Sequence, residues 1–74
     1  MREIDLHRMR QAEAEELFHR LLNETRLGSR SEEICLITGR GGVLQTLVLK
    51  LARAQELHCY IPMSNPGCVV VEFE

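Results

Sequence analysis

The chain reads as a two-layer α/β (α+β) sandwich of order βαβαββ, a mixed four-stranded sheet with both helices on one face. Three observations predict this. Two stretches carry apolar residues at helical spacing, four short stretches either alternate in polarity or are apolar throughout, and Ser64-Asn65-Pro66-Gly67 is a strong turn signal before the last of them. These elements use nearly all of the 74 residues, so residues 1–74 are expected to form a single domain.

Residues 3–7 alternate, with Ile4 and Leu6 on one side and Asp5 and His7 on the other, as a half-buried first strand would. From residue 11 to about residue 26, Ala14, Leu17, Phe18, Leu21 and Leu22 recur at i, i+3, i+4, i+7 and i+8, the stripe of an amphipathic helix. Gly28 is placed for a left-handed stop, and Ser29-Arg30-Ser31 forms a polar link. Residues 33–38 are short and largely apolar, which fits a central strand. Gly39-Arg40-Gly41-Gly42 then opens a second helix over residues 43–54, with a stripe of Leu44, Leu47, Val48, Leu51 and Ala52. Residues 57–63 alternate again, with Leu57, Cys59, Ile61 and Met63 expected inward and His58, Tyr60 and Pro62 outward. After the turn, residues 68–74 are expected to return antiparallel as a hairpin.

Charge and size narrow the function classes. Nine Lys+Arg against 11 Asp+Glu leave a net charge of -2, which excludes a uniformly basic nucleic-acid surface. A chain this short buries only about 60% of its unfolded surface, so a deep enclosed cofactor pocket is not expected. No apolar run approaches the roughly 20 residues that span a bilayer, and Met-Arg-Glu-Ile-Asp is too polar to open a signal peptide. The expectation is a cytoplasmic protein without membrane contact. Cys35, Cys59 and Cys68 are odd in number, lack Cys-x-x-Cys spacing and lie in apolar stretches as small hydrophobes do. With His7, His19 and His58 they make no zinc-ligand spacing. No metal site and no cofactor are expected, and ligand spacing gives no support for a divalent ion.

Topology supplies a candidate site. Two right-handed crossovers progressing in one direction put both helices on one face, so Asp5 and His7 project together from the other. The carboxyl ends of the parallel strands share one edge, where open α/β folds bind ligands, and both His7 and the Gly39 to Gly42 loop arrive there. Glycines let backbone N–H groups approach an anion, and the N-terminus of the second helix adds its positive dipole end. Arg8, Arg10 and Arg40 fall at the same edge, and eight of the nine basic residues are Arg, the side chain suited to bidentate phosphate contacts. The loop is not a dinucleotide fingerprint, because the third glycine of Gly-x-Gly-x-x-Gly would fall on Leu44, and the Gly-Lys-Ser/Thr end of a P-loop is absent. With only Phe18, Tyr60 and Phe73 as aromatics, the chain lacks a base-stacking platform.

Ile4-Asp5-Leu6-His7, Thr38-Gly39-Arg40-Gly41 and the Gly67-Cys68-Val69-Val70-Val71 ending together resemble the small MutS-related (Smr) domain, from about residue 3 to residue 73. That family has the βαβαββ arrangement, is similar to the C-terminal domain of translation initiation factor 3, and includes nucleases of DNA and of messenger RNA at stalled ribosomes. Its Leu-Asp-x-His motif maps onto Ile4, Asp5, Leu6 and His7, and its His-Gly-x-Gly motif onto Thr38, Gly39, Arg40 and Gly41. Thr38 replaces the usual His, as in some members, and Arg8 stands where a Gly commonly follows. The resemblance implies DNA or RNA as partner, ribosome association among the settings, and phosphodiester cleavage assisted by Asp5 and His7. Phosphate contacts would come from Arg8, Arg10, Thr38, Gly39, Arg40, Gly41 and Gly42. The missing imidazole favours a second expectation, a module that binds nucleic acid or the ribosome without cutting. A third is a protein interaction domain that uses the edge of the hairpin.

Overall fold

The structure is a computed structural model that describes residues 1–28 and 30–74. Its elements are β1 (Arg2–Asp5), α1 (Gln11–Gly28), β2 (Glu32–Ile37), α2 (Gly42–Ala54), β3 (Cys59–Tyr60) and β4 (Cys68–Phe73). The strands form one mixed sheet of order β1-β2-β4-β3, with β1 parallel to β2 and β4 antiparallel to both of its neighbours. The strand formed last in sequence therefore sits between β2 and β3, and the α2 crossover spans it.

Period-two alternation decides which side of the sheet each residue faces. Ile34 and Leu36 of β2 and Val69, Val71 and Phe73 of β4 join Ala14, Phe18, Leu21 and Leu22 of α1 and Val48 and Ala52 of α2 in one buried core. Leu6, just past β1, is buried in the same core, and Ile4 packs against it. Phe18 and Phe73 bridge the two layers with ring centroids 5.0 Å apart. On the far face Cys35, Cys68 and Val70 form a second small buried cluster with Ile37 against it. All three cysteines are free thiols; Cys35 and Cys68 are buried and Cys59 is half-buried against the main core.

Several boundaries differ from the sequence reading, each for a local reason. β1 ends at Asp5 instead of His7, because Met9 N–H donates to the Leu6 carbonyl at 2.8 Å and turns the chain there. Gly28 is the last residue of α1 and has no positive φ, so it is not the left-handed stop expected of it. Ser29, in the expected polar link, lies outside the described residues. β3 is only two residues long. Pro62 has no N–H for a ladder, and two turns follow it, Asn65 N–H to the Pro62 carbonyl and Cys68 N–H to the Asn65 carbonyl, both 3.2 Å. Ile61 and Met63, expected inward, are therefore exposed, Met63 completely.

α2 ends on a left-handed residue that is not glycine. Glu56, at φ 57°, donates its N–H to the Arg53 carbonyl at 3.0 Å, and Leu57 N–H reaches the Ala52 carbonyl at 2.9 Å. These are the two bonds of a Schellman motif, and Leu57, buried beside the helix end, supplies its apolar contact.

Candidate nucleic-acid interface

Three connections meet at the carboxyl edge of β1 and β2: the turn after β1, the glycine loop after β2 and the Pro66-Gly67 turn before β4. Their meeting is fixed by hydrogen bonds. Leu6 N–H donates to the Ile37 carbonyl at 2.7 Å, and the Gly67 carbonyl accepts from both Thr38 N–H, at 2.9 Å, and Gly39 N–H, at 3.0 Å.

Asp5 and His7 form a pair. Asp5 Oδ1 accepts the His7 backbone N–H at 3.0 Å and lies 2.5 Å from His7 Nδ1. The backbone bond is an Asx turn, which ends the strand and swings the imidazole back over the carboxylate. The ring is therefore held through Nδ1, and Nε2 remains for chemistry. Hydrogen bonds from the His7 side chain and backbone, with a smaller attraction to His7 and Arg8, hold the Asp5 carboxyl below its ordinary value, although the side chain is exposed. Arg8 sits in the turn without a positive φ, so this position takes a side chain without backbone strain.

The glycine loop owes its composition to backbone angles. Gly39, Gly41 and Gly42 have φ of 84°, 66° and 82°, and a Cβ at any of them would meet nothing within 4 Å. Gly41, with ψ -167°, occupies a region essentially closed to other residues. The open space in front of the loop is the room a ligand would need.

The loop amides are not equally available. Gly39 N–H is engaged by Gly67, and Gly41 N–H donates to Gln45 Oε1 at 3.0 Å. Gln45 Nε2 in turn donates to the Pro66 carbonyl at 2.9 Å, so one buried amide side chain clamps the loop to the β4 turn. Gly42, Val43 and Leu44 form the first turn of α2, whose N–H groups have no intrahelical acceptor and face the loop opening with the helix's positive end. Thr38 is buried, and its hydroxyl donates to the Gly39 carbonyl at 3.0 Å, with the Gly67 carbonyl at 3.4 Å. Its proton stays within the loop.

An open cleft of about 540 Å³ lies between these parts, lined by His7, Met9, Arg10, Gln11, Thr38, Gly41, Val43 and Leu44. It brings together His7, Arg10, Thr38 and Gly41 of the expected residues, with Asp5 behind His7. Arg8, Gly39, Arg40 and Gly42 lie outside that lining, with Arg8 and Arg40 exposed nearby in chain terms. Among the described residues no ion pair engages Arg8, Arg10 or Arg40, whereas Glu15 and Glu16 of α1 are turned to His19 and Arg20. Glu13 Oε1 accepts Arg10 N–H at 3.1 Å and caps α1. Tyr60 and His58, ring centroids 5.9 Å apart, are on β3 and just before it, at the opposite side of the sheet from the cleft.

Gln45 is the residue that sequence reasoning missed. Its signal was present: Gln45, Val48 and Ala52 follow i, i+3, i+7 spacing and are the buried residues of α2, so a polar side chain stands on the helix's innermost line.

Among the described residues no three of His, Cys, Asp and Glu come together as a metal site, and no helix is long and apolar enough to cross a membrane. The class defined by fold and cleft is a two-layer α/β domain with an edge site made of a carboxylate–imidazole pair and a glycine-opened helix N-terminus. The family model of the Smr domain matches residues 4–73, and the chain belongs to that family of nucleic-acid-binding domains, some of whose members are endonucleases. The structure is similar to the crystal structure of the Smr domain of Thermus thermophilus MutS2, with a TM-score of 0.76 and 25% sequence identity over 100% of this chain and 99% of that one. A search of curated proteins finds no match.

Proposed function

We propose that residues 1–74 form a single Smr domain that holds a DNA or RNA phosphodiester in the His7–Thr38–Gly41 cleft and cleaves it with His7 as general base. The observation that supports this best is the Asp5–His7 pair beside the first turn of α2. With the Nδ1 proton held by Asp5, Nε2 takes a proton from the attacking hydroxyl, of water or of a ribose, as its oxygen bonds to phosphorus. The bond to the leaving oxygen breaks, that oxygen takes up the proton carried by the His7 imidazolium directly or through water, and the charge that grows on the phosphoryl oxygens is met by the amides of Val43 and Leu44 and by Arg10. Arg8 and Arg40 serve the flanking phosphates. The step as written needs only the protein's own groups and the setting is the cytoplasm.

The test is a cleavage assay on single- and double-stranded DNA and RNA, with and without EDTA, using wild type, His7→Ala and Asp5→Asn. Cleavage that either substitution slows at least about a hundredfold is the expected result. A wild-type domain that cuts nothing, or variants that cut equally well, would sink the catalytic reading.

The enclosed hydroxyl of Thr38 favours a second reading, a domain that binds nucleic acid, on the ribosome or elsewhere, without cutting it. Its mark is salt-sensitive binding that weakens in Arg40→Ala while no cleavage occurs under any condition.

A further inference from the structure

The cleft does not end at the glycine loop. A second depression of about 400 Å³ adjoins it, sharing Gln11 and Val43 and continuing along α2 past Gly42, Thr46 and Leu47 to Lys50. Val43, Thr46, Leu47 and Lys50 follow i, i+3, i+4, i+7 spacing, so they form one strip of the helix. Two helical turns separate Gly42 from Lys50, about 12 Å along the axis. Val43 is 59% exposed although it is apolar, and Leu47 is only partly covered by the core. Thr46 gives its hydroxyl to the Gly42 carbonyl at 3.0 Å, leaving its methyl as the outward part. Lys50 is the chain's one lysine and, among the described residues, no ion pair engages it.

We propose that this strip is a nucleoside subsite, in which an unstacked base flanking the phosphate in the first cleft lies on Val43 and Leu47 and the next phosphate reaches Lys50. The subsite rests on the reading that the first cleft holds a phosphate, and it makes the substrate class a single strand. An anionic cleft ligand, an apolar strip of base-like extent and a cation at its far end repeat the alternation of phosphate, base and phosphate along one strand. A paired base could not lie there, because its faces are already covered by its neighbours in the duplex.

Fluorescence anisotropy at low salt tests this with oligothymidylate and oligouridylate of about ten nucleotides, an abasic strand of equal length and charge, and a duplex. The wild type should bind the base-bearing strands at least about fivefold more tightly than the abasic one. Val43→Ser, at an exposed position in the first turn of α2, should bring that ratio close to one, the abasic strand serving as the reference within the same variant. Lys50→Ala should weaken all single strands alike and lower the salt slope by about 0.7. A ratio near one in the wild type, an unchanged ratio in Val43→Ser, or tighter binding of the duplex overturns the subsite and leaves the phosphate cleft standing. Absence of binding to every strand overturns both together.

Discussion

Gln45→Leu isolates what the clamp contributes, because leucine keeps the buried volume and removes both polar ends. Two hydrogen bonds disappear, from Gly41 N–H at 3.0 Å and to the Pro66 carbonyl at 2.9 Å. At about 0.5–1.5 kcal/mol each, the gross loss is about 1–3 kcal/mol. Both partners belong to exposed residues that water can reach once the clamp opens, so the upper end is not expected and about 2 kcal/mol is. For a domain of this size that lowers Tm by roughly 10 °C. Urea denaturation gives the free energy, and hydrogen exchange of the Gly41 amide, accelerated with little change in the strands, shows where it is lost. Gln45→Glu keeps the acceptor for Gly41 but sets an oxygen against the Pro66 carbonyl, and it should fall between leucine and wild type, helped by the dipole of α2. A leucine variant within about 0.5 kcal/mol of wild type, or one whose loosening lies outside the loop, would refute the clamp as the element that shapes the site.

Three other outcomes are expected. Gly41→Ala should destabilise by about 1–3 kcal/mol in urea denaturation, all of it from backbone strain, since the added methyl meets nothing within 4 Å. Glu56→Gly should stabilise by about 0.5–1 kcal/mol and raise Tm, because glycine relieves a left-handed position at some entropic expense; an unchanged Tm counts against strain at that helix end. The Asp5 carboxyl, followed by NMR, should titrate below the ordinary carboxylate value near 3.9 and move up toward it in His7→Ala. Because the folded state binds that proton less tightly than the unfolded state, the contribution of Asp5 to stability is complete above about pH 4 and declines as pH falls through its depressed folded value. Titration at the ordinary value in the wild type would contradict the pairing.

The layers and the pairing of the site were legible because they rest on periodicity. Ile4 and Leu6 against Asp5 and His7 state a strand's two faces, and the stripe through Phe18 and Leu22 states a helix's buried one. What escaped was decided by groups without a periodic signature. Pro62 ended β3 early and left Ile61 and Met63 in solvent, although their alternation with Tyr60 continued a strand pattern. Glycine content announced the loop but not which amides it leaves available. That depended on carbonyls of Pro66 and Gly67, some 25 residues away in sequence, and no local pattern carries such a partner. Thr38 was expected to offer a donor, and the same distant carbonyl helps to keep its proton inside.

The position of β4 has a consequence for the order in which the protein becomes itself. A nascent chain that has emerged only as far as Gly67 can pair β1 with β2, but it has nothing to place between β2 and β3. The Gly67 carbonyl that anchors the glycine loop has just appeared, and the strand that holds it in position has not. Sheet closure and completion of the cleft therefore coincide with the synthesis of Cys68–Phe73, and the parallel β1–β2 pair waits with one edge unfilled. A partly made domain therefore has no complete cleft, and the loop, the turn and the strand that frame it come together only when nearly all of the domain has left the ribosome.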